Sequence, residues 1–105
     1  MLARSLILAA AALAGTAARA EGPGDALYVR ALAATCANCH GTDGKSLATA
    51  EGLPRLAGLQ KAYIVEQLTA FRDGKRSATV MHQLVKGYTP AQIDAIAAYF
   101  AAQPK

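Results

Sequence analysis

The sequence predicts a single all-α domain of three main helices, joined by long loops that must wrap around something apolar. Three observations predict it. No stretch alternates apolar and polar residues long enough to make a strand, three stretches carry apolar residues at helical spacing, and the intervals between them hold large apolar side chains with no long helix of their own. At 105 residues the chain has room for one small domain, which excludes a multidomain enzyme. The hydrophobic share of 53% is inflated by alanine, so large core-forming side chains are scarcer than the figure implies.

The N-terminal segment is set apart from this domain. Met1 to Arg4 is a short basic start, Leu6 to Ala14 an uninterrupted apolar run, and Ala18-Arg19-Ala20 places small residues where a signal peptidase reads them. A membrane anchor is the alternative, but nine apolar residues at about 1.5 Å each cover less than half of a hydrocarbon core of roughly 30 Å. Residues 1–20 are therefore expected to be a signal peptide and 21–105 the exported domain, periplasmic and without a membrane span after cleavage. Losing Arg4 and Arg19 leaves nine basic against seven acidic residues. A charge so near neutral is no argument for nucleic acid as a partner.

Taken in order, the first helix runs from about Asp25 into Cys36, with Asp25 as N-cap and Tyr28, Leu32 and Cys36 on one face. The second spans about Gln60 to Asp73, with the stripe Ile64, Leu68, Phe71 and with Gly74 placed to end it. The third is marked by Thr89 as N-cap, Pro90 at the first helical position and Gln92 completing a capping box. Ile93, Ile96, Ala97 and Phe100 follow at core spacing. Between these helices, Gly41 to Gly58 and Lys75 to Tyr88 carry Leu53, Leu56, Val80, Met81, Leu84 and Val85. So thin a domain gains from a large apolar object at its centre. Arg72, Lys75 and Arg76 make the densest basic cluster, read as a solvated helix end.

Cys36-Ala37-Asn38-Cys39-His40 holds the chain's two cysteines, at the end of the first helix. C-x-x-C-H is the pattern of covalent haem attachment. Two thiols three residues apart add to the vinyl groups of adjacent pyrroles as thioethers, and the next residue, His40, sits beneath the iron as a ligand. Four other readings are weaker. A redox dithiol belongs to a strand–helix context that this chain lacks. A Cys36–Cys39 disulfide closes too short a loop to add stability. A zinc-stabilised binding module would use Cys36, Cys39, His40 and His82, yet the adjacent Cys39 and His40 diverge from one tetrahedral centre. Gly44-Lys45-Ser46 lacks the leading glycine and the strand of a phosphate-binding loop.

On these residues the chain resembles the small bacterial class I cytochromes c. The likeness extends through Pro54-Arg55-Leu56-Ala57-Gly58, Phe71-Arg72-Asp73-Gly74-Lys75-Arg76, Met81 and the Tyr99-Phe100 pair. Thr79-Val80-Met81 followed by Val85-Lys86-Gly87-Tyr88 is similar to the cytochrome subunit of flavocytochrome c sulfide dehydrogenase. The resemblance implies the class I cytochrome c fold around one covalent haem c. It implies single-electron transfer, as a free carrier or as the non-catalytic haem subunit of a dehydrogenase, with sulfur-compound oxidation the expected setting. The implied partner is a redox protein, a flavoprotein or molybdenum dehydrogenase subunit.

The resemblance also places the distal iron ligand at Met81, 41 residues beyond His40. His82, the neighbouring competitor, would give bis-histidine ligation. If Met81 did not coordinate, a vacant distal site would bind a diatomic gas or peroxide, which is the alternative function. The resemblance assigns the backbone carbonyl of Pro54 to orient His40 and makes Arg55 a candidate partner for a haem propionate. Tyr63, Tyr88 and Tyr99 are each able to donate to a propionate or simply to pack.

Overall fold

The computed structural model describes residues 22–47 and 53–105, so the signal peptide expected at 1–20 and its cleavage point lie outside the described residues. These residues contain helices and turns and no strand. The helices are α1 (Ala26–His40), α2 (Lys61–Arg72), α3 (Met81–Val85) and α4 (Pro90–Ala101), with a single 3-10 turn at Thr42–Gly44.

Each expected helix signal has its physical counterpart. Asp25 caps α1 by accepting from the amides of Leu27 and Tyr28 at 2.9 and 3.0 Å. That helix runs four residues past Cys36, and Gly41, at φ 83°, ends it. The whole C-x-x-C-H segment is therefore helical. Gly74, at φ 73°, closes α2 in a Schellman motif, its amide donating to Phe71 and that of Lys75 to Ala70 at 2.9 Å. Thr89 and Gln92 form the capping box of α4. The amide of Gln92 does a second job, its Nε2 donating to the Tyr28 hydroxyl at 2.6 Å and so fastening α4 to α1.

One element was not expected. The interval before α4 contains α3, a little more than one turn, whose first residue is Met81. Five residues are too few to reveal a 3.6-residue period, and no side chain caps it. The three main helices stand as expected.

The core forms where α1 and α2 pack against α4, around Ala33, Ile64, Ile96, Ala97 and Phe100. Small side chains at Ala33 and Ala97, both buried, let the helices approach closely. A second cluster of Phe71, Val85 and Ile93 joins α2, α3 and α4, with Met81 packed on its edge.

The 3-10 turn is tied into this core from two sides. Asp43 takes a positive φ of 54° and accepts from the Tyr99 hydroxyl. Gly44, at φ 74°, lies so close beneath α4 that a Cβ would stand 2.7 Å from the Phe100 ring and 2.8 Å from Leu56. Its carbonyl accepts from the amides of Leu56 and Ala57 at 2.8 and 3.1 Å, which fixes the end of the run that begins at Leu53.

Replacing Gly44 by Ala is expected to cost about 2–4 kcal/mol, from the unfavourable φ and the overpacking against Phe100 together. Thr89→Ala, which loses only a cap, should cost about 1 kcal/mol. Urea unfolding of both variants checks the order, and an equal cost would show that the turn is not held as described. The Tyr99 phenol, donating to the Asp43 carboxylate, is raised above its ordinary value. Its contribution to stability is thus complete below about pH 10, where an unfolded tyrosine ionises, and is lost as pH rises further. Asp43→Asn is expected to flatten that alkaline decline, measured as unfolding free energy against pH.

Candidate functional site

The elements surround one cavity of about 500 Å³, within the roughly 300–1,000 Å³ range of cofactor pockets. Its wall is formed by the end of α1, the run from Leu53 to Leu56, the inner face of α2 and the segment leading into α3. Cys36, Cys39, His40, Pro54, Arg55 and Met81, drawn from three separate parts of the sequence, all line it.

His40 sits in the last turn of α1 with only 7% of its surface exposed. Its Nδ1 lies 2.7 Å from the carbonyl oxygen of Pro54. A carbonyl only accepts, so Nδ1 carries a proton, and in the neutral ring that makes Nε2 the lone pair a metal ligand requires. Pro54 reaches this position because the amides two and three residues on are held by the carbonyl of Gly44.

Cys36 is partly buried and Cys39 exposed, and neither is in a disulfide among the described residues. Burial pushes the Cys36 thiol up; the neighbouring Cys39 adds to the rise and the Thr35 hydroxyl opposes it. Among the described residues no three His, Cys, Asp or Glu side chains converge as a metal centre would need, so the zinc reading finds no ligand set. His82 is absent from the cavity lining, and its Nδ1 is buried without a hydrogen-bond partner among the described residues. One residue along a helix turns the side chain by about 100°, which takes His82 off the face that Met81 presents to the cavity.

The three tyrosines are no longer equivalent. Tyr99 donates to Asp43, away from the cavity. The Thr35 hydroxyl donates to the carbonyl of Leu32, so the short contact between Thr35 and Tyr88 has the Tyr88 hydroxyl as donor. Only Tyr63, half-exposed on the cavity lining, keeps its hydroxyl without a partner among the described residues. Arg55 is exposed on the same lining and makes no ion pair among the described residues.

Arg76 is exposed, as a solvated helix end should be, but it is also tied down. Its guanidinium stacks over the Phe71 ring at 4.6 Å, donates to Gln67 at 2.5 Å and lines the cavity. Gln67 and Phe71 are one turn apart on α2, and the Schellman turn carries the chain back over them, a proximity no linear spacing displays. Leu53, Val80 and Leu84 are large, exposed and on the lining, whereas Leu47, also exposed, is not.

Two thiols, an imidazole with a free Nε2, a thioether and otherwise apolar walls make a donor set suited to an iron porphyrin attached through its vinyl groups. The comparisons agree with this chemistry. A family profile described as Cytochrome c matches residues 23–103. Cytochrome c4 of Pseudomonas aeruginosa is 40% identical over 84 residues, covering 80% of this chain and 41% of that protein. The cytochrome subunit of sulfide dehydrogenase from Chlorobaculum tepidum is 44% identical over 69 residues, covering 66% of this chain and 60% of its own length. A cytochrome c4 structure from Acidithiobacillus ferrooxidans superposes with a TM-score of 0.59 at 45% identity, over 64% of this chain and 38% of that one. The match thus spans about two to three fifths of each of these relatives.

Proposed function

The chain belongs to the cytochrome c family, and on that premise we propose that it is a periplasmic, monohaem carrier of single electrons and catalyses nothing itself. The observation that carries this reading is the meeting of Cys36, Cys39, His40 and Met81 on one cavity lining. When bound, haem c supplies a ferric–ferrous one-electron couple. The chain's own residues have separable tasks. Cys36 and Cys39 hold the group covalently, so it is retained through every cycle. His40 offers Nε2 from a buried, hydrogen-bonded ring that has little freedom to reorient. Met81 offers a thioether, which favours the reduced state more than a second imidazole would, and fills the position a substrate or gas would need. The apolar walls keep water from the iron and limit the rearrangement that accompanies a change of charge.

A redox protein is the proposed partner, docking where Leu53, Val80 and Leu84 leave apolar surface at the cavity's edge. The likeness to a sulfide dehydrogenase subunit supports sulfur-compound oxidation as the setting; the donor we propose is a flavoprotein or molybdenum dehydrogenase subunit. No helix among the described residues is long and apolar enough to cross a membrane.

Haem staining of the purified mature protein should survive boiling in detergent, because thioether links outlast the fold. Colourless protein would overturn the assignment. Met81→Ala should leave the protein folded and red but make it bind carbon monoxide and lower its potential, while His82→Ala changes neither. Carbon monoxide binding by the His82→Ala protein, seen in the absorption spectrum, would move the distal ligand to His82.

A further inference from the structure

Haem brings two carboxylates into an otherwise apolar cavity, and charged groups taken from water need a partner there. Among the described residues no acidic side chain lines the cavity, and the arginine and lysine side chains that do are Arg55 and Arg76. Arg55 has no hydrogen bond or ion pair among the described residues, so binding a carboxylate through it would first have to order a free side chain. Arg76 is already ordered. Phe71 covers one face of its guanidinium and Gln67 takes one of its five N–H donors. Gln67 is neutral, so among the described residues the positive charge has no anionic partner, unlike that of Arg72, which pairs with Asp73 at 3.5 Å. The remaining edge of the fork has the planar, two-donor geometry that a carboxylate accepts.

We propose that Arg76, held on Phe71 and Gln67, receives a carboxylate of the bound haem and thereby raises the protein's reduction potential; this rests on the haem-carrier reading above. Ferric haem carries one more positive charge than ferrous. A guanidinium at the cavity opposes that charge directly, and it also neutralises a carboxylate that would otherwise stabilise it. Both effects favour the reduced state.

The test is redox titration of holoproteins whose haem survives denaturation, since loss of covalent haem from the unaltered chain would instead overturn the haem-carrier reading. Arg76→Met keeps an apolar stem on Phe71 and removes the charge. It should make reduction about tenfold less favourable, a fall of about 59 mV for one electron. Lys75→Met deletes the same charge one residue away, from a side chain that does not line the cavity, and should change the equilibrium less than threefold. Arg76→Lys, which keeps charge without the fork, should fall between. Equal shifts in Arg76→Met and Lys75→Met, or no shift in either, would overturn the proposal. So would loss of the methionine-to-iron absorption band in Arg76→Met, which would show that Arg76 only holds the Met81 segment. If Arg76→Met yields no holoprotein, Gln67→Leu decides: it frees the guanidinium and should make reduction about threefold less favourable, and an unchanged potential would overturn the proposal.

Discussion

A single hydrogen bond, from His40 Nδ1 to the Pro54 carbonyl, links the attachment helix to the rest of the site. It determines which imidazole nitrogen faces the cavity, and the surrounding backbone serves to place its two ends. Gly41 ends α1 immediately after His40, so the chain turns away without displacing the ring. Gly44 then lies against Phe100 and holds Leu56 and Ala57 by its carbonyl, which brings Pro54 back under the imidazole. Proline suits that position because it offers an acceptor and no competing N–H. The left-handed conformations of Gly41, Asp43 and Gly44 are thus concentrated where the chain must reverse within a few residues beneath α4.

The same economy governs the core. Fully buried large side chains are few, Phe100, Ile93 and Val85 among them, and alanines at the α1–α4 contact supply proximity more than apolar area. A domain of this size built on so few large residues gains much of its apolar burial from the group its cavity accepts. Binding the cofactor and completing the fold are in that sense one process. It also explains why large apolar side chains such as Leu53, Val80 and Leu84 stand on the cavity lining with so much of their surface uncovered by protein.

Helix ends and attachment chemistry were legible in the sequence because both are local. An aspartate, a threonine–proline pair or a glycine acts on amides within four residues, and C-x-x-C-H needs only one helical turn to set its groups in order. Hence α1, α2, α4 and the haem motif were all readable from spacing alone. The short helix α3 was not, because one turn carries no period. The fates of the tyrosines were likewise hidden: Tyr88 is occupied by Thr35, 53 residues away, and Tyr99 by Asp43, 56 residues away. Arg76 read as one of three basic residues at a helix end, and only the return of the chain over Gln67 and Phe71 set it apart. The sequence by itself determined the three main helices, the haem-attachment motif and the family. Tertiary structure decided which nitrogen of His40 meets Pro54, which tyrosine hydroxyls are occupied and which arginine is held in place, because a hydrogen-bonding group is committed by whatever partner the fold brings within 3 Å or so of it.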